Sequence, residues 1–211
     1  MDLSEKENEL KKRLNYPYQW GRKQNDEWDE ATHFIYTTNK FDDLLKTIEN
    51  KFEKFQNKEE LKNYAMNRWF NFFSAQAVEE IFCSTKFIKP NKDKKNKLID
   101  FTLNEFHFDH KTTVFPKAFN KDINYAKANE RELIEWLYEN QSQQGRKHMM
   151  NRLFVVVYDS NNPDHWKLKA ELSWLKKIIY DYIEIFDENN LVRLSLTKDR
   201  KTLSDIIWAI K

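Results

Sequence analysis

The run RLFVVVYDS, residues 152–160, limits the possible folds more than any other part of the chain. A strand with one wet face alternates apolar and polar residues. A strand that is apolar on both faces must lie inside a sheet with cover above and below. The sequence supplies that cover. Helical periodicity appears over 4–14, over FDDLLKTIENKFEKFQ (41–56) at Leu44, Leu45, Ile48 and Phe52, and over 57–84 with a broad stripe including Leu61, Ala65, Trp69, Phe73, Ala77 and Ile81. Further helices are expected over 125–144 and 164–186. Strands are expected at KFIK (86–89), within KLIDFTLNEFHFDHKTTVFP (97–116) and at LVRLSLT (191–197), and LSDIIWAIK (203–211) closes the chain. The order helix, three strands, helix, strand, helix, strand implies an α/β fold, with a central mixed β-sheet flanked by helices. The stretch 16–36 is aromatic-rich but aperiodic and reads as an ordered, irregular arm. The expected organisation is an N-terminal arm and helix over 1–56 packed on a main domain over 57–211, one globular unit overall.

Composition narrows the class. With 16 Phe, 9 Tyr and 7 Trp, the chain is not expected to be disordered, although 33% of its residues are charged. Lys and Arg total 36 against 34 Asp and Glu, so only local clustering can speak for or against nucleic acid. The single cysteine, Cys83 in EEIFCS, excludes a disulfide framework and points to a reducing, cytoplasmic setting. It reads as a small buried hydrophobe. The start MDLSEKENELKKRL is charged throughout, unlike a secretory leader, and no apolar run is long enough to predict a membrane span.

The stretch 97–116 carries the chemistry. A turn centred on Asn104-Glu105 pairs Asp100 with Asp109, Thr102 with His107 and Leu98 with Lys111. Ile99, Phe101, Leu103, Phe106 and Phe108 then share the opposite, apolar face, with His110 as a packing residue there. Directly opposed carboxylates about 5 Å apart repel. A hard divalent cation between them would remove that repulsion, because Mg²⁺ takes oxygen ligands and often only one or two carboxylates. Lys111, two residues past Asp109, falls on the same side, where an ammonium can orient water and stabilise charge on a phosphate. The alternative is a structural cluster in which Lys111 neutralises two acids. A third oxygen donor is expected late in the 57–84 helix. Glu79 lies at the edge of the apolar stripe, and Glu80 is rotated by about 100° from it.

A helix acid, a strand acid and the D-x-K of DHKTT together resemble the PD-(D/E)xK nuclease superfamily, over about half of the chain. The resemblance implies a restriction-endonuclease-like core over 57–160. It places Glu79, Asp100, Asp109 and Lys111 as catalytic residues, with Glu79, Asp100 and Asp109 holding Mg²⁺, or Mn²⁺ in its place, and a carbonyl of Thr112 or His110 as a further ligand. Ile99 stands where the family usually has proline. The implied activity is a Mg²⁺-dependent deoxyribonuclease, an endonuclease hydrolysing phosphodiester bonds, with DNA as partner ahead of RNA and pairing as a homodimer. The alternative is a non-catalytic nucleic-acid-binding or protein-interaction domain that keeps the nuclease fold. An HNH nuclease ranks lower, because alternation puts Asp109 and His110 on opposite sides. Gln144, Arg146, His148 and Arg152 are the expected nucleic-acid contacts. The lysines Lys86, Lys89, Lys92, Lys94, Lys95 and Lys97 are candidates for tracking a phosphate backbone. His107, on the acidic side, is expected to support the site.

Overall fold

The computed structural model describes residues 1–19, 27–93, 96, 98–140, 149–197 and 200–211. The chain divides into two compact units. Met1–Ala77 with Ala170–Leu172 form the first, and Val78–Lys169 with Ser173–Lys211 the second. The division therefore falls inside a long helix, whereas the sequence suggests a division near residue 56.

The first unit contains α1 (Leu3–Lys12), α2 (Glu27–Ala31), α3 (Phe41–Phe52) and most of α4 (Lys58–Cys83). Asp2 and Glu5 close the start of α1 as a reciprocal capping box. Leu44, Ile48, Phe52, Leu61, Ala65 and Trp69, read from the sequence as helical stripes, are buried, and so are Leu10 and Phe41. The described parts of the irregular arm are ordered by side chains rather than by periodicity. Buried Arg13 donates to the carbonyls of Tyr16 and Pro17 and to Asn67, and Asn67 in turn donates to the Gln19 carbonyl. Arg68 donates to the Asp29 carbonyl, Thr32 and the Tyr36 hydroxyl. Such bonds satisfy backbone groups that no helix or sheet pairs.

The second unit is built on a six-stranded mixed sheet. Its strands are β1 (Ile88–Pro90), β2 (Phe101–Leu103), β3 (Phe106–Val114), β4 (Arg152–Tyr158), β5 (Val192–Thr197) and β6 (Arg200–Ile210). They lie in the order β1-β2-β3-β4-β6-β5. β1, β2 and β3 are antiparallel neighbours, whereas β4 runs parallel to both β3 and β6. As the apolar run requires, Leu153 to Val157 are fully buried at the sheet centre. Helices α5 (Ile123–Ala128) and α6 (Glu130–Glu139) lie between β3 and β4 in the chain. Leu133, Ile134, Leu137 and Tyr138 of α6 pack with Phe154, Val156 and Ile206. A further helix, α7 (Leu172–Glu184), precedes β5.

Several elements differ from expectation. The helix expected over 125–144 is split at Asn129 into α5 and α6. The single helix expected over 164–186 is a 3-10 segment, His165–Ala170, followed by α7. The closing segment is a long strand inserted between β4 and β5, with Asp205 on it bonded to the Tyr182 hydroxyl at 2.7 Å. No helix among the described residues is long and apolar enough to cross a membrane.

Candidate functional site

The hairpin forms in the register the alternation dictates. Phe101 pairs with Phe108, Thr102 with His107 and Leu103 with Phe106. Asn104 and Glu105 make the turn with φ of 44° and 69°, the two positive values a tight two-residue hairpin needs. β2 begins at Phe101, so among the described residues β3 has no strand neighbour on that side beyond Phe108. Asp100 continues the pairing in another way. Its N–H donates to the Phe108 carbonyl at 2.8 Å, and its carboxylate Oδ2 accepts the backbone N–H of His110 at 2.8 Å. The same oxygen meets His110 Nδ1 at 2.6 Å.

His110 lies on the apolar side as expected, with its ring 5.7 Å from that of Phe82 and 6.4 Å from that of Phe101. It is more than packing, because its backbone N–H and its ring Nδ1 both pair with the Asp100 carboxylate. Burial lowers the imidazole's proton affinity, but the Asp100 hydrogen bond and charge outweigh it and leave it raised. Burial raises Asp100 in turn, and the His110 bonds outweigh that and hold it below the usual carboxylate value.

Asp109 is set by the parallel register. It lies beside Arg152, and residues paired this way point to the same face of the sheet. Arg152 Nε donates to Asp109 Oδ2 at 2.5 Å and Nη2 reaches the same oxygen, leaving Oδ1 outside that pairing. The guanidinium carbon sits 5.6 Å from the ring centre of Tyr138 and 5.7 Å from that of Phe154. Arg152 is 4% exposed, which corrects its expected role as a nucleic-acid contact: it is an internal clamp on Asp109. Burial raises the Asp109 carboxyl; Arg152 opposes this and Asp100 adds to it, for a net upward shift. The shifts of Asp100 and Asp109 run in opposite directions, so a proton is held more readily by Asp109 than by Asp100.

Glu79 joins this pair from the end of α4. It is half-buried, whereas Glu80 is exposed. Burial raises its carboxyl, and so do the charges of Asp100, Glu80 and Asp109. Lys111 is partly buried on the face of Asp109 and Arg152. Burial and Arg152 lower its ammonium, and Asp109 partly restores it. Glu79 thus lies within electrostatic reach of Asp100 and Asp109, and Lys111 within reach of Asp109, while His110 pairs with Asp100 and Arg152 with Asp109. Among the described residues, no group of three or more His, Cys, Asp or Glu side chains is arranged to hold a metal ion. Asp100 is instead turned to the imidazole and Asp109 to the guanidinium.

Other expected residues lie elsewhere. His107 pairs with Thr102 at 2.8 Å on an exposed part of the hairpin. Gln144, Arg146 and His148 lie outside the described residues, as do Lys94, Lys95 and Lys97. Lys86, Lys89 and Lys92 are exposed. Cys83 is only partly buried, and burial pushes its thiol up to about 11, which leaves it no nucleophile. Lys169, which no sequence signal marked, lies within electrostatic reach of Lys111. No protein-family model, curated protein or solved structure matches this chain.

Proposed function

We propose that the second unit is a metal-dependent nuclease that hydrolyses phosphodiester bonds in nucleic acid, DNA ahead of RNA. The observation that carries the reading is the convergence of Glu79, Asp100 and Asp109 beside Lys111. The sheet order β1-β2-β3-β4, with α6 preceding a β4 parallel to β3, also agrees with the restriction-endonuclease-like core that the PD-(D/E)xK resemblance implies.

The donor set suits a hard divalent cation. It consists of carboxylate oxygens, and Glu79 and Asp109 are raised first by burial and then by the neighbouring acid charges, both of which a bound cation would offset. Mg²⁺ or Mn²⁺ would be held by Glu79, Asp100 and Asp109, with water completing the shell. When bound, such an ion supplies Lewis acidity and a more acidic water. The chain's own groups do the rest. Arg152 fixes the orientation of Asp109, and His110 fixes Asp100 at the open edge of β3. Lys111 Nζ, with its proton loosened by burial, donates to a phosphate oxygen or gives that proton to the leaving group.

The second reading is a nucleic-acid-binding or protein-interaction domain without catalysis. It is favoured by the pairing of Asp100 and Asp109 with His110 and Arg152. Plasmid, linear and single-stranded DNA and RNA incubated with Mg²⁺ or Mn²⁺, and with EDTA, separate the two. The nuclease reading expects cleavage that EDTA stops, and that Asp109→Asn and Lys111→Met each lower by about a hundredfold or more. Equal cleavage by wild type and both variants would sink the site assignment. No cleavage of any substrate would favour the binding reading.

A further inference from the structure

The first unit holds a cavity of about 230 Å³, lined by α3, the start of α4 and Tyr16. Leu45, Ile48 and Phe52, at i, i+3 and i+7 of α3, give it an apolar floor. Tyr16, whose ring is 5.4 Å from that of buried Phe41, adds an aromatic face to the lining. Pockets for drug-sized ligands run to roughly 300–1,000 Å³, so an occupant of this one is smaller. The charged part of the lining comes in two rows. Glu49 and Glu53, one helical turn apart, belong to α3 and its cap. Lys58 and Lys62, also one turn apart, belong to α4. Like charges at that spacing repel each other. Among the described residues, none of these four side chains makes a hydrogen bond or an ion pair, so neither row neutralises the other. Glu59 also lines the cavity, and a total of three acids and two lysines disfavours a ligand that carries negative charge alone.

We propose that this cavity binds a small zwitterion with an apolar body, of the class of an α-amino acid with a bulky apolar side chain. Its ammonium lies toward Glu49 and Glu53, its carboxylate toward Lys58 and Lys62, and its side chain on Leu45, Ile48 and Phe52. Each charged end relieves the repulsion within one row, and the apolar body covers surface that water otherwise wets. A ligand with a single charge relieves one row and leaves the other as it was. The proposal is independent of the nuclease reading, because none of Glu79, Asp100, Asp109 and Lys111 lines the cavity.

Methyl NMR of the full chain, with the Leu45 and Ile48 signals assigned, reads the cavity directly. The probes, used at slightly acidic pH, are L-phenylalanine, its amide, which keeps only the positive charge, and its N-acetyl derivative, which keeps only the negative one. Saturable shifts of both residues' methyl signals are expected with L-phenylalanine at millimolar concentration. Removing either charge from the probe should weaken binding by at least about threefold. Glu49→Gln/Glu53→Gln should erase the advantage of phenylalanine over the N-acetyl form, and Lys58→Gln/Lys62→Gln its advantage over the amide. Unchanged melting of both double variants shows that the fold is kept. No shift at Leu45 and Ile48, shifts that do not saturate, or equal affinities for the three probes overturn the proposal. So does an advantage for phenylalanine that survives both double variants.

Discussion

Replacing Arg152 with methionine tests whether the Arg152–Asp109 pair is an internal clamp. The two side chains are 5% and 18% exposed, and the guanidinium places two nitrogens on Asp109 Oδ2. Methionine keeps much of the volume packed on Tyr138 and Phe154, so the loss mainly reports charge. An exposed ion pair would cost at most about 1 kcal/mol to break. Removing one partner of a buried pair leaves a charge uncompensated, and about 3–5 kcal/mol is expected. Equilibrium denaturation, with hydrogen exchange read on β3 and β4, measures it. The double variant Asp109→Asn/Arg152→Met should recover at least about 1 kcal/mol of the loss, because the stranded charge is gone. The sign of the pH effect follows from Asp109. Its folded value is raised, so the folded form takes up a proton more readily than the unfolded chain, and the ionised carboxylate penalises folding as pH rises through the ordinary carboxylate range. The Arg152→Met deficit should therefore shrink on acidification. A cost below about 1 kcal/mol at neutral pH, or no recovery in the double variant, would refute the clamp.

Three further outcomes follow from the same geometry. Glu105 sits at φ 69°, so Glu105→Gly should raise the unfolding free energy by about 0.4–1 kcal/mol, seen as a higher denaturation midpoint. Phe101 is fully buried against Phe82, Phe108 and His110, and Phe101→Ala should cost about 3–5 kcal/mol in the same assay. The His110–Asp100 pair should stabilise the protein within a pH window. The raised His110 contributes fully below its unfolded value and loses that contribution as pH climbs through its folded value. The lowered Asp100 contributes above its unfolded value and loses it as pH falls through its folded value. Melting curves of His110→Gln across acidic to mildly alkaline pH should flatten at both edges of that window, and an unchanged profile would deny the pairing.

Much of this fold is legible in the sequence, for physical reasons that also mark where legibility ends. The hairpin register is readable because Phe101, Leu103, Phe106 and Phe108 must share a face, and a slip of one residue would expose all four. The central strand is readable because only two-sided cover tolerates RLFVVVY. The closing strand β6 is hidden because it carries buried Ser204 and Thr202, and an Asp205 whose partner Tyr182 lies on another element. The order of the arm is hidden because Arg13, Asn67 and Arg68 create it, through bonds that leave no period. Within the site, the acids and Lys111 follow from strand alternation. The clamp does not, because Arg152 meets Asp109 only through the parallel pairing of β3 with β4, across 43 residues of chain.

The central claim is that the carboxylates of Glu79, Asp100 and Asp109 are assembled for a divalent cation. Crystals soaked in Mn²⁺ and measured at its absorption edge test this most directly. The account expects an anomalous peak bounded by these three side chains, and its loss in Asp109→Asn. Well-ordered crystals with no peak there, and with Asp100 and Asp109 still bound to His110 and Arg152, would contradict it.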